Sequence, residues 1–419
     1  MKRATPAPRV AYLTSEYPTV THTFILREIA ALRTLGFDVE ACSIRRPGPT
    51  QLRGPAERAE AARTFYVIEA AMRLWPLIAA QAAFFRTPKR YLGALRTAWQ
   101  MRAGGAKALL YQMFYFAEAT VLARHLRAAG IDHLHNHFAM SSANVAVLAA
   151  RIAGIPFSFT LHGPADLAEP ERWRLGLKAA EATFVACISQ YARSQLERYA
   201  DEADWPKFRI VHCGVTPEDF DAPLPENGAA AAFVFVGRLA PVKGVDVLLE
   251  AFARARQTVP RIQLTIIGDG PERVRLEAQA EPMGDAVRFT GYLSQAEVAE
   301  LLAEADGLVL ASHAEGVPVV LMEAMAAGRA VIATDITGVP ELVEDGVSGF
   351  LVPASDPVAF ASRMAEVAQD PVLRQRLGAE GKARVRAAFD IRIEAARLGS
   401  LFAGTAGDTV RPPPYIPPR

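Results

Sequence analysis

Cysteine is scarce in this chain of 419 residues: only Cys42, Cys187 and Cys213 occur, widely spaced and each in or beside an apolar, strand-like run. That excludes a disulfide-built scaffold and suits reduced core thiols in a cytosolic protein. A surplus of one charge is also missing. Lys and Arg number 46 against 45 Asp and Glu, a net charge of +1, so no global field points to nucleic acid as a partner. Long apolar runs are absent too: the best candidate, Leu74 to Phe85, is interrupted by Pro76 and Gln81 and falls short of the about 20 residues a spanning helix needs. The opening MKRATPAPRVAYLTSEYP has basic residues but no apolar stretch of the kind a secretory signal requires, so export is not expected and a cytoplasmic location is.

What is present can build sizeable cores: 51% of residues are hydrophobic and 22% charged, and the length favours two domains. Short β-rich runs alternate with helical patterns, as in VAYLTS followed by THTFILREIAALRTLG, and FSFTLHG followed by a helix expected from about Leu167. A second series begins with AAFVFVGRL near Ala231 and continues through IQLTIIGDG, VRFTGYL, GLVLAS, AVIATD and GFLVP. Such alternation predicts an α/β fold of two doubly wound parallel sheets. The expected division is an N-terminal domain over 1–215, a connection over 216–230 where proline, acid and glycine replace the periodic pattern, and a C-terminal domain over 231–388. A helix over 389–403 is expected to return to the N-terminal domain, and the proline-rich 404–419 is expected to be disordered.

One further absence is local. From Ala71 to Ala117 there is no acidic residue, while Arg73, Arg86, Lys89, Arg90, Arg96, Arg102 and Lys107 are interleaved with Trp75, Phe84, Phe85, Tyr91, Trp99 and Phe114 to Phe116. Two readings stay open: a helical insertion resting on an anionic membrane surface, or one packed on the N-terminal domain with its cations solvated.

In open α/β sheets ligands bind beyond the carboxyl ends of the strands. After FVFVG the phrase GRLAPVKG supplies Arg238 and Lys243, with Gly237 and Gly244 easing the path into the next helix; two such cations can hold a diphosphate and stabilise it as it leaves. After GLVLAS comes HAEGVPVVLMEAMAAG, in which Glu315 and Glu323 stand eight residues apart. With a helix from Val317, Glu315 meets a ligand at the helix mouth, the amides of Gly316 and Val317, ahead of Pro318, face an anion or sugar, and Glu323, about two turns in, accepts hydroxyl hydrogen bonds from a ribose. The plain alternatives are a charged surface turn and a helix-start acid favoured by the dipole.

EGVPVVLMEA resembles the E-x7-E signature of the retaining glycosyltransferases of family 4, and GRLAPVKG resembles their R-x4-K phosphate motif; the likeness runs on through GDGPE, GYLS and TGVPELVEDGVSGFLV. In the N-terminal half, SEYPTVTHTFILREI and DHLHNHFA are similar to exopolysaccharide glycosyltransferases of the colanic-acid type. Departures are the missing Gly-Gly pair of the first loop, His22 where that branch commonly has Glu, and Thr216 where a Gly-Val-Asp phrase is usual. The resemblance implies a GT-B architecture, two Rossmann-like domains facing an interdomain cleft, with a nucleotide-diphosphate sugar as donor and no cofactor. Arg238, Lys243 and Glu315 would act on the donor, with Gly237, Gly268, Leu293, Gly316, Val317, Pro318 and Glu323 lining its site. His162, in FTLHG, would point toward the transferring sugar; His22, His135, His137, Asp166 and Ser189 are the acceptor-side candidates, Ser189 doubling as a cap for a helix starting at Gln190.

The alternation of His133, His135 and His137 raises zinc, but a spaced fourth ligand is lacking, and Asp219 to Asp221, which mimic a D-x-D metal motif, fall in the connection, so no metal is expected. The expected reaction is retaining, metal-independent transfer to a glycan or lipid-linked oligosaccharide in surface-polysaccharide assembly. The rivals are a sugar-nucleotide epimerase and a non-catalytic nucleotide-sugar-binding assembly factor; a dinucleotide dehydrogenase is weaker, because GDGPER lacks the third glycine of its fingerprint.

Overall fold

The computed structural model describes residues 7–52, 54–223 and 231–405; of the tail expected over 404–419 and the connection expected over 216–230, residues 406–419 and 224–230 lie outside them. The chain forms two compact units, residues up to His212 with a return from Glu394, and Cys213 to Ile393.

The first unit carries strands β1 (Val10–Glu16), β2 (Val39–Arg45), β3 (Phe65–Tyr66), β4 (His133–His137), β5 (Phe157–Leu161), β6 (Phe184–Cys187) and β7 (Phe208–Ile210). They assemble in the order β3-β2-β1-β4-β5-β6-β7, every pair parallel. β4, β5 and β6 are buried at every residue, as expected of a parallel sheet covered on both faces. One face packs on Ser141–Ala153, whose Ala- and Val-rich sequence lets it approach closely. The other holds Ile25, Ile29 and Leu32 of the helix Thr23–Thr34 and Ala395, Leu398 and Phe402 of the helix Ile391–Phe402. That last helix is fixed from within the unit: Glu394 accepts from the His212 amide at 2.9 Å and Phe402 lies against the rings of His133, His135 and Phe184. The helix expected from about Leu167 is instead a single turn, Pro164–Leu167, followed by Leu175–Glu181. Asp166 explains the break: its carboxylate is committed to amides in two loops and anchors that turn where it is.

The second unit has β8 (Ala232–Val236), β9 (Gln263–Ile267), β10 (Val287–Gly291), β11 (Gly307–Leu310), β12 (Ala330–Thr334) and β13 (Phe350–Val352), in the order β10-β9-β8-β11-β12-β13, again all parallel. Counted within the unit this is the order 3-2-1-4-5-6, so the crossovers reverse between β8 and β11 and open a ligand crevice beyond their ends. Local sequence sets the helix starts. Ser294 and Glu297 form a capping box, and Asp356 and Asp370, each followed by proline, accept the first amides of Pro357–Gln369 and Pro371–Ala388.

Candidate active-site residues in the two units

In the second unit the loops after β8 and β11 meet at the reversal point. Gly244 adopts φ +59°, and a Cβ there would lie 2.1 Å from the Ala311 carbonyl, so only glycine lets the two loops touch. Gly268, at φ +135°, is pressed in the same way against the Gly237 carbonyl. This close approach brings Lys243 Nζ to 2.5 Å from Glu315 Oε1, an oxygen that also accepts from Ser312 Oγ at 2.6 Å. Thr334 on β12 holds the Ser312 carbonyl, and Thr337 donates to the Glu315 carbonyl. Arg238 is exposed, and among the described residues no carboxylate pairs with it. The result is a half-buried carboxylate between a lysine and a hydroxyl, with Arg238 exposed on the same loop as Lys243: a set of groups that can orient hydroxyls and receive a dianion.

The helix after this loop is Val319–Ala326, capped by Pro318, so its first amides are Val319 and Val320. The expected start at Val317 is corrected by two residues, because Pro318 lacks a donor and sits in extended backbone. Glu323 is accordingly little more than one turn in, not two, and is buried at 8% exposure. Gly316 and Val317 lie in the preceding loop, and Gly338 passes so near the Gly316 carbonyl that a Cβ would be 2.6 Å away. Leu293 rests half-buried against Val234, Ile267 and Ala305.

In the first unit the chemistry is histidine-rich. Parallel register sets Tyr12 beside His135 and pairs His135 with Ser158 and His137 with Thr160. His135 is fully buried, its Nδ1 at 2.7 Å from Ser158 Oγ and its Nε2 at 2.8 Å from Thr160 Oγ1; His133 reaches the same Ser158 oxygen at 2.7 Å. His137 Nδ1 lies 2.9 Å from His162 Nε2, and its Nε2 lies 3.3 Å from Glu28 Oε1, which Tyr12 also engages at 2.7 Å. The Glu28 contact is a charge proximity rather than a formed hydrogen bond, since His137 Nε2 lacks a well-directed acceptor. A carboxylate on that side favours the Nε2–H tautomer of His137, in which Nδ1 accepts from His162 Nε2–H. Burial, then the neighbouring imidazoles, holds His162 well below the ordinary histidine range and therefore neutral.

Asp166 binds the His162 amide at 2.8 Å and the Ala139 amide at 2.7 Å, tying together the loops after β4 and β5. Its carboxyl is pushed up to about 6 by burial against the opposing pull of those two amides and Lys178. Lys178, fully buried, donates to the Ala139 and Met140 carbonyls and is brought down to about 7 by burial. Ser189 is buried and caps Gln190–Glu197 by accepting the Ala192 amide. His22 lies 3.3 Å from the Glu16 carbonyl, packs on Phe138, and is lowered to about 4, first by burial.

Among the described residues two groups have ligand atoms within 4.8 Å of one another: Glu28 with His135 and His137, where Glu28 takes the place of His133, and Glu40 with Cys42 and His125. Both His135 nitrogens are already engaged by hydroxyls, a poor starting point for coordination. Asp221, of the D-x-D look-alike, pairs with Lys382 and with Arg386. Sequence reasoning missed Glu28, Lys178 and Ser312. Glu28 had a signal: it falls in the Ile25, Ile29, Leu32 stripe of its helix, and an acid on a buried face needs a partner.

Two parallel, Rossmann-like sheets with these loops define the GT-B class of glycosyltransferases. Residues 217–384 match the family described as glycosyl transferases group 1, and residues 21–219 match glycosyltransferase family 4. The chain is 31% identical over 319 residues to a D-inositol 3-phosphate glycosyltransferase of Streptomyces scabiei, covering 67% of this chain and 70% of that one. The chain belongs to this glycosyltransferase family. Its fold is similar to that of sucrose-phosphate synthase from Thermosynechococcus elongatus (TM-score 0.71, 21% identity, 94% of this chain and 98% of that one). It is also similar to Anabaena HepE in complex with UDP and glucose (TM-score 0.70, 18% identity, 95% and 100%).

Proposed function

We propose that the protein transfers a sugar from a nucleotide-diphosphate donor, held by the second unit, to a glycan or lipid-linked oligosaccharide held by the first, on the cytoplasmic side of surface-polysaccharide assembly. The observation that carries this reading is the Lys243–Glu315–Ser312 cluster at the reversal point of the second sheet, with the exposed Arg238 on the same loop as Lys243. On donor binding the diphosphate takes Arg238 and shares Lys243 with Glu315, and these cations stabilise the charge that grows as the sugar departs. Glu315 orients the donor sugar and Glu323 accepts from the ribose. His162, held neutral, helps to position the transferring sugar. The departing phosphate oxygen takes the acceptor proton, so no strong protein base is needed. We further propose that transfer retains anomeric configuration and needs no metal; HepE, solved with UDP and glucose, supports the choice of donor class.

Saturation-transfer NMR with UDP-, GDP- and ADP-sugars in EDTA tests this directly. Selective binding by wild type, lost in Arg238→Ala and Glu323→Ala, is the expected result. No binding by any donor overturns the transferase reading, and binding restored only by added divalent cation overturns metal independence.

A further inference from the structure

The first unit contains one region whose polarity runs backwards. Of the 20 large hydrophobic side chains exposed among the described residues, 12 fall between Met72 and Phe114, so the apolar surface is gathered into one region rather than scattered. In the helix Pro88–Met101 the inward stripe is Ala94, Thr97, Ala98 and Met101, small or polar for half its length, while Leu92, Leu95 and Trp99 face out. The first turns of Ala106–Ala128 repeat the inversion. Gln112 is buried and donates to the Ala98 carbonyl, and Leu109, Leu110, Met113 and Phe114 are exposed. Trp75 and Phe85 are 79% and 83% exposed. A surface helix in water presents the opposite pattern.

Charge says what lies against this face. The segment from Ala71 to Ala117 holds seven Lys and Arg and no acid. Arg86, Lys89 and Arg96 are exposed, and among the described residues none is in an ion pair. Arg102 stacks over Trp99 with its guanidinium 3.8 Å from the ring, a pairing of flat cation and indole suited to the headgroup layer. No described helix is long and apolar enough to cross a membrane, so the face can only lie on one.

We propose that residues 72–114 form a membrane-docking face that inserts its outward aromatics and leucines into the interfacial layer of an anionic phospholipid bilayer, with Arg86, Lys89 and Arg96 held against the headgroup phosphates. A second copy of this chain would need acidic residues to match the cations, and this face offers none to its own image. The proposal is independent of the donor site, and its test contains no donor. The full chain is floated with vesicles of phosphatidylglycerol and phosphatidylcholine, or of phosphatidylcholine alone. Wild type is expected on the anionic vesicles only. Arg86→Gln/Lys89→Gln/Arg96→Gln is expected to bind about a hundredfold more weakly, and Trp75→Ser/Phe85→Ser/Trp99→Ser at least about tenfold more weakly, both with the wild-type melting temperature. Wild type that ignores every vesicle overturns the proposal. So does vesicle binding that survives both variants, or light scattering that shows a dimer broken by the Trp75/Phe85/Trp99 variant.

Discussion

The two units put opposite kinds of chemistry at the ends of their strands. In the first, histidines and their partners are buried and interlocked, with His135 between Ser158 and Thr160, His162 on His137, and Asp166 on two amides, while His137 Nε2 has only the nearby Glu28 charge. In the second, Glu315 and Lys243 are half-buried and Arg238 is exposed, and Lys243 holds Glu315 while no carboxylate among the described residues pairs with Arg238. The first arrangement is largely preformed within the chain. The second has a cation to spare, and a dianionic ligand would complete it. Preorganised neutral groups serve to orient; mobile cations serve to neutralise charge that appears during reaction.

This contrast breaks first in the second unit. Arg238→Ala and Lys243→Ala are each expected to lower kcat/KM about 10²- to 10³-fold, about 3–4 kcal/mol of lost transition-state stabilisation. Steady-state kinetics with the donor identified by NMR checks it, and a loss below fivefold in both would remove the cations from the mechanism. Next in size is Gly244→Ala. It forces a side chain into left-handed backbone and onto the Ala311 carbonyl, so a loss of about 1–3 kcal/mol of stability is expected from denaturant unfolding, with weaker donor binding as the Lys243 loop shifts. The first unit answers differently. Glu28→Gln keeps the shape but removes the charge that sets the His137 tautomer, so kcat is expected to fall about tenfold with donor KM unchanged. Ring nitrogen shifts of His162 should show its tautomer becoming mixed, and Glu28→Asp should restore part of the rate. A purely structural role for Glu28 would leave those shifts unaltered.

The contrast also explains what could be read from the sequence. The parallel sheets were legible because strand and helix periods alternate from Val10 to Tyr66 and again from His133 to Val352, on either side of the helical segment. That Lys243 and Glu315 stand on strand-end loops was legible from their motifs and the fold rule, but their pairing with each other was not. The first unit's network was not. Glu28 reaches His137 from a different element, and Lys178 reaches Ala139 and Met140 across 39 and 38 residues, distances that no local period encodes. Glu323 was misjudged for a local reason: Pro318 delays the helix, and proline just ahead of an apolar run can stand inside a first turn or before it.

The smallest effect, and the most specific to the first unit, is a pH signature of Lys178. Its folded value of about 7 lies below the ordinary lysine value of 10.5, so between these limits the unfolded chain binds the extra proton and stability rises with pH. Below about 7 the folded protein carries a buried ammonium, opposite Asp166, and bears its full desolvation cost. Asp166 has the reverse sense: with a folded value of about 6 against 3.8, it makes stability fall as pH rises between those values. Lys178→Met should therefore flatten the climb in melting temperature between pH 7 and 10 and steepen the fall below neutrality, because Asp166 loses the cation that helps it ionise. Melting curves of both proteins across this range decide the matter: parallel profiles would mean that Lys178 stays charged in the folded state and that the two carbonyls, with Asp166 behind them, solvate it well enough to offset its burial.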